Sequence, residues 1–215
     1  MFKNRQEAGH LLAKALREKG WKFDIVLGIP RGGVIIAREI ARQFNCPLDV
    51  ILAKKIGSPS LPEYAVGAVT PDGEILVHER LNHLWEEQKD AIKRMAQSVQ
   101  KEINRQLDLF RSQRKAIHLE GLRILLVDDG IVTGFTVKAA ILYLKRQGVS
   151  EIRIAVPLCS QNAYPALNKA ADDILALYIP QRMYAVSQFY EDFSSVEDGE
   201  IIEGIYCNYS SLRTK

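Results

Sequence analysis

Residues 123–136 read R-I-L-L-V-D-D-G-I-V-T-G-F-T. Ile124 to Val127, with Arg123 leading in, form an apolar, β-prone run suited to a strand buried on both faces of a parallel sheet. Asp128 and Asp129 stop it. A small-residue turn follows, and from Phe135 an amphipathic period runs to Gln147, with Gly148 as its C-terminal stop. Thr133, Gly134 and Thr136 bring two hydroxyls and unhindered backbone N–H groups to the positive end of a helix dipole. That suits a phosphate dianion without any basic side chain. Asp128 and Asp129 stand just before, where paired carboxylates can accept hydrogen bonds from the vicinal hydroxyls of a phosphorylated pentose. A plain strand end with Asp-Asp-Gly as its turn is the alternative, but it does not account for threonines on both sides of a glycine at a helix start.

Outward from this centre, strands and helices alternate. Apolar residues at Ala8, Leu11, Leu12, Ala15 and Leu16 predict a packing helix over 5–19, ended by Gly20. Asp24 to Ile29 reads as a short buried strand, and helix formers resume at Val34 and continue to Phe44. Between them Pro30-Arg31-Gly32-Gly33 makes a second strand-to-helix turn, whose glycines permit backbone conformations that other residues resist. Asp49 to Ala53 predicts the next strand, running into Lys54 and Lys55. Two lysines at the carboxyl end of a parallel strand lie on the edge where open α/β sheets bind ligands, with a solvated pair that merely stops the strand as the lesser alternative. Ala65 to Val69 and Glu74 to His78, around a Pro71-Asp72-Gly73 turn, predict a hairpin.

From Glu79 to Arg114 there is neither glycine nor proline, and apolar residues recur at Leu84, Ile92, Met95, Val99, Ile103, Leu107 and Phe110. This predicts a long amphipathic helix, broken at most once, inserted at about 79–115. Its narrow stripe would pack on the same domain or on a second subunit, which leaves a homo-oligomer open. Its basic end, Arg105 to Lys115, reads as a solvated face. After residue 148 come a strand at 152–157, a helix at 162–171 and a strand at 174–178. The β-α repetition predicts a doubly wound parallel α/β sheet in a single domain spanning 1–215.

The 215 residues, with 47% hydrophobic content, are enough for one buried core, and a net charge of +3 does not argue for nucleic acid or a membrane surface. Cys46, Cys159 and Cys207 are widely spaced and odd in number, which favours free thiols over a disulfide frame or a zinc site. With no apolar leader and no run near ~18 apolar residues, a cytoplasmic protein is expected.

The run of four apolar residues, two acids and a Thr-Gly-x-Thr loop resembles the signature of type I phosphoribosyltransferases. P-R-G-G at 30–33, K-K-I-G-S-P at 54–59, P-E-Y-A-V-G-A-V at 62–69 and A-V-S-Q-F-Y-E-D-F at 185–193 narrow it further. Across nearly the whole chain the sequence looks like a bacterial group of predicted phosphoribosyltransferases whose acceptor is unassigned. Phe135, where a small residue is usual, and Ser187, where glycine is common, depart from that group.

The resemblance implies a site for 5-phosphoribosyl 1-diphosphate. Asp128, Asp129, Gly130, Val132, Thr133, Gly134, Phe135 and Thr136 would hold the ribose 5-phosphate, and Arg31, Gly32, Gly33, Lys54 or Lys55 the diphosphate, with a cis peptide at Pro30-Arg31 or Arg31-Gly32. It also implies Mg²⁺ carried by the substrate near Asp128 and Asp129. A lid at Ser58 to Tyr64, within a lid and hairpin region of about 56–78, would close over the site. Glu63 in that lid, or Asp129, is the candidate proton acceptor. A C-terminal hood over about 179–215 would place Met183, Tyr184, Phe189 and Tyr190 around a nitrogenous base or amine, unless these aromatics simply cover the sheet. A sensing regulator that keeps the binding loops with little turnover is the competing expectation.

Overall fold

The computed structural model describes residues 1–57, 65–77, 81–112 and 114–210. The chain opens with α1 (Arg5–Glu18), whose N-cap Asn4 accepts the Glu7 amide at 2.9 Å. β1 (Ile25–Gly28) follows, entirely buried, then α2 (Gly32–Phe44), closed by Asn45 in the left-handed region at φ 51°. β2 (Leu48–Val50) is shorter than the expected strand over 49–53. After it the chain leaves the parallel layer and forms β3 (Lys54–Gly57), β4 (Ala65–Val69) and β5 (Ile75–Val77).

α3 (Asn82–Arg111) is the expected long helix, with one break where Gln88 sits at φ −122°, ψ 19°. The signature supplies β6 (Arg123–Val127) and α4 (Phe135–Arg146). β7 (Glu151–Leu158), α5 (Tyr164–Ala170), β8 (Asp173–Tyr178) and α6 (Asp198–Ser210) complete the chain. Among the described residues no helix is long and apolar enough to cross a membrane.

Five strands form one parallel sheet in the order β2-β1-β6-β7-β8, with Val26 opposite Leu48, Ile25 opposite Ile124, and Ile124 opposite Ile152. Alternate residues feed two cores. Val26, Leu48, Leu125 and Ala155 meet α1 and α2 on one face, while Leu27, Leu126 and Ile154 meet Val137 and Ile141 of α4 on the other. The chain winds one way from β1 to β2 and the other way from β6 to β8, so the strand order reverses between β1 and β6. In open α/β sheets the crevice outside the carboxyl ends at that reversal is where ligands bind. The loops that leave it here are Pro30 to Gly33 and Asp128 to Gly134.

β3, β4 and β5 pair antiparallel as a second sheet, so the expected hairpin gains a third strand. It is pinned to the main layer where Arg146, at the end of α4, makes a two-pronged contact of 2.8 and 2.9 Å with Asp72 in the hairpin turn. The stripe of α3 is buried within this same chain. Ile92, Ile103 and Phe110 join Val34 and Ile35 of α2, Ile56 and Val66 of the second sheet, and Ile201 and Ile205 of α6 in a third core. The C-terminus of α3 is clamped by Arg111, whose Nη2 lies 3.0 Å from Asp49 Oδ2. Asp49 is 5% exposed and sits in the buried edge strand β2.

Removing Arg111 would strand a carboxylate in that edge. Arg111→Leu is expected to lower unfolding free energy by about 2–4 kcal/mol, read by denaturant titration. A second pair ties the starts of β1 and β6, where Asp24 accepts from the Arg123 amide at 2.8 Å and from its guanidinium at 2.6 Å. The hydrogen bonds from Arg123 hold Asp24 down at about 2. A depressed folded-state value stabilises above the unfolded value near 3.8 and is lost as pH falls towards about 2. Asp24→Asn should therefore weaken the fold at pH 6 and leave it unchanged at pH 2. With both side chains more than a third exposed, the difference should be about 0.5 kcal/mol or less.

Candidate active site

Two strand-to-helix turns meet at the reversal. The peptide bond Pro30–Arg31 is cis, and α2 begins at Gly32, two residues before the helix expected from Val34. Neither Gly32 nor Gly33 has a positive φ, so these glycines are not there for backbone freedom, as the sequence suggested. They allow close approach. A Cβ on Gly32 would lie 1.8 Å from Asp129 Oδ2 and 2.5 Å from Arg5 Nε, and one on Gly33 would lie 2.8 Å from the Asp128 Cα. The N-terminus of α2 thus abuts the two acids directly.

Asp128 and Asp129 are adjacent carboxylates in poor contact with water. Burial, and then the neighbouring Asp129 charge, push Asp128 well above the usual carboxylate range. Burial also raises Asp129, but a hydrogen bond and the charge of Arg5 oppose the shift. Arg5 Nε lies 2.8 Å from Asp129 Oδ2, and the two side chains are 11% and 14% exposed. The Arg5 guanidinium also donates to the Ser194 carbonyl at 2.8 Å and stacks 3.8 Å from the centre of the Phe193 ring. Sequence reasoning placed Arg5 only at the start of a packing helix, because no local spacing links residue 5 to residue 129.

The loop that follows the acid pair is supported from below. Ile131 bridges to Cys159, the Ser160 hydroxyl donates to the Val132 carbonyl and accepts the Ala163 amide, and Gly134, at φ 71°, rests on Leu167 and Ala163. Thr133 is exposed and Thr136 half-buried at the start of α4. Phe135 packs against the cluster of Ala53, Ala68 and Ala139. Neither α2 nor α4 has a side-chain cap or an acid in its first turn, in contrast to α1. The α4 N-terminus therefore favours an anion, while that of α2 already faces the Asp128 and Asp129 carboxylates.

A cavity of about 210 Å³ opens beside the cis turn, lined by Ile29, Pro30, Arg31, Leu52, Ala53, Lys54, Gln106 and Phe110. It brings together Arg31 and Lys54, as the sequence expected, and adds Gln106 and Phe110 of α3. The two lysines do not end a parallel strand. They start the antiparallel β3, where alternation leaves Lys54 half-buried against the cavity and Lys55 exposed. Arg31 Nη1 lies 2.6 Å from Asp198 at the start of α6 and donates to the Val196 carbonyl at 3.0 Å. Glu63 and the whole segment Ser58 to Tyr64 lie outside the described residues.

The C-terminal candidates divide. Tyr190 is 5% exposed and donates its hydroxyl to the Asp129 carbonyl at 2.8 Å, so it braces the acid loop from behind. Met183 and Phe189 pack on the core shared by α1 and α2, and Tyr184 is 79% exposed. Val186, absent from the expected residues, covers Gly130, where a Cβ would meet its side chain at 2.6 Å. α6 packs on α2 and α3, so the C-terminal part of the expected hood belongs to the third core.

The oxygen donors suit a hard cation, and one would offset the buried charge of the acid pair. Among the described residues no group of three or more His, Cys, Asp or Glu could hold a metal. Cys46 and Cys159 are buried free thiols, pushed up to about 12 and about 11 by burial, which leaves neither reactive near neutrality.

This is the architecture of a doubly wound α/β protein whose two strand-to-helix turns meet at the topological switch point. Residues 3–192 match the model of the phosphoribosyl transferase domain, and the chain belongs to that family. Two Mycobacterium tuberculosis proteins, from strains CDC 1551 / Oshkosh and H37Rv and named provisionally as phosphoribosyl transferases, are each 36% identical over 205 residues. The alignment covers 94% of this chain but 46% of theirs, so the chain spans about half the length of these curated relatives. The crystal structure of TT1426 from Thermus thermophilus superposes with a TM-score of 0.81 at 34% identity, covering 95% of this chain and 97% of that one. A hypothetical Neisseria gonorrhoeae protein with bound ppGpp, at a TM-score of 0.52 and 15% identity over 94% of this chain and 92% of that one, shares the fold alone.

Gly32→Ala should displace Asp129 or Arg5 and lower stability by about 1–3 kcal/mol. Gly199→Ala, in α6 where a Cβ meets nothing within 4 Å, should leave the melting temperature unchanged or raise it slightly in the same scan.

Proposed function

We propose that this chain binds 5-phosphoribosyl 1-diphosphate and transfers its ribose 5-phosphate to a nitrogenous acceptor. The observation that carries the reading is the meeting, at the strand-order reversal, of the α2 and α4 N-termini, neither with a side-chain cap, on two half-buried carboxylates. This matches a substrate with an anionic group at each end and vicinal hydroxyls between.

The Thr133 to Thr136 backbone and hydroxyls take the 5-phosphate. Asp128 and Asp129 accept hydrogen bonds from the ribose hydroxyls. The α2 N-terminus, Arg31 and Lys54 take the diphosphate. The bond from C1 to the diphosphate oxygen breaks with its electron pair leaving on diphosphate, and a bond from C1 to the acceptor nitrogen forms as that nitrogen sheds a proton. Positive charge that develops on the sugar ring in such displacements is stabilised by the neighbouring carboxylates. Mg²⁺, bound with the substrate, would neutralise the leaving group, with Asp128 and Asp129 as the protein oxygens nearest to it. Arg5 opposes the rise that burial causes at Asp129 and holds its carboxylate in place at 2.8 Å. The proton acceptor is Asp129 or Glu63, and the acceptor base lies towards the segment that carries Val186.

Calorimetric titration with 5-phosphoribosyl 1-diphosphate and Mg²⁺ tests this. Binding should weaken at least about tenfold in Asp128→Asn and in Asp129→Asn, the usual effect of losing a hydrogen bond to a charged group. A screen over bases and amines should then find diphosphate release with one of them. Binding with no release for any acceptor would point to a sensing regulator, and free ribose 5-phosphate without acceptor to a hydrolase. Absence of binding in the native protein would discard the reading.

A further inference from the structure

The helical insertion has a second face towards the site. In α3 the row Val99, Ile103, Phe110 is apolar, and Ile103 and Phe110 are fully buried. Position 106, three residues after Ile103, falls on the same row and would be apolar if the helix did nothing but pack. It is Gln106. Its side chain is half-buried, lines the cavity with Arg31 and Lys54, and has no hydrogen-bond partner among the described residues. One turn earlier, Glu102 Oε1 lies 3.6 Å from Lys54 Nζ.

A half-buried amide set beside two cations, a cis turn and a helix N-terminus presents N–H donors to one space. We propose that Gln106 is a substrate-binding residue supplied by the insertion, donating its side-chain amide to the diphosphate of the phosphoribosyl donor. Glu102 acts through Lys54, holding its ammonium on the α3 side of the cavity. The inference rests on the function proposed above and assigns the wall of the diphosphate subsite to α3. Arg31 and Lys54 supply charge there, and Gln106 supplies direction. Because ribose 5-phosphate lacks the diphosphate, Gln106 should distinguish the two ligands.

The test is calorimetry on the full chain with three probes in Mg²⁺ buffer: 5-phosphoribosyl 1-diphosphate, inorganic diphosphate and ribose 5-phosphate. Gln106→Leu should weaken the first two about tenfold and leave the third within about twofold. Gln106→Glu keeps the size and polarity of the side chain but brings a negative charge, and should weaken the first two by about a hundredfold. Asn104→Leu, an exposed position on the same helix, should bind all three as the native protein does. Equal affinity of both Gln106 variants and the native protein for the diphosphate ligands overturns the inference. So does an equal loss for ribose 5-phosphate, which would mark a packing role. If the native protein binds ribose 5-phosphate but neither diphosphate ligand, the functional reading itself fails at this subsite.

Discussion

The ligand-facing edge depends on the absence of two side chains. At Gly32 and Gly33 the first turn of α2 lies in contact with Asp128 and Asp129, at separations that any Cβ would abolish. That contact puts the positive end of a helix dipole against two carboxylates that burial pushes above the usual carboxylate range. Arg5 completes the balance from the opposite end of the chain, and Tyr190 fixes the acid loop through its backbone. The buried charges are therefore held by partners from α1, α2 and the C-terminal segment.

The parallel sheet makes the arrangement possible. Because β1 and β6 are neighbours, the turns that follow them emerge side by side although they lie about a hundred residues apart in sequence. Each turn alone offers a modest anion site. Facing each other across an acid pair, they suit the ligand proposed above, with its two anionic ends and hydroxyls between them. The uncapped state of both helices fits this, since a cap or first-turn acid would compete with the ligand for the same N–H groups.

The insertion and the second sheet belong to the same design. α3 closes the exposed side of β2, carries its own core with α6, and is clamped by Arg111 to an aspartate in the sheet edge. It thereby walls the cavity beside the cis turn. Its narrow stripe, which left a partner subunit open, is satisfied within one chain by the third core. The basic end of the helix is used in part for that clamp, while Arg105 pairs with Glu102 on the surface.

The hydrophobic periods and turn residues of the chain determined most of the architecture. The strands at 25–28 and 123–127, the helix after Phe135, the long helix and the β-α repetition all follow from patterns within a few residues, where burial and backbone preference act locally. The signature likewise located the acid pair and the small-residue loop that leads into α4. Tertiary structure alone decided what meets those residues. Arg5 reaches Asp129 across 124 positions, Gln106 reaches the Arg31 turn, and Val186 covers Gly130. It also reassigned Gly32 and Gly33 from flexible turn residues to contact surfaces and turned Tyr190 inward as a brace. Lys54 and Lys55 moved from the end of a parallel strand to the start of an antiparallel one. The reason is physical: periodicity records which side of an element is buried, whereas the partner on that side is chosen by the packing of the whole chain.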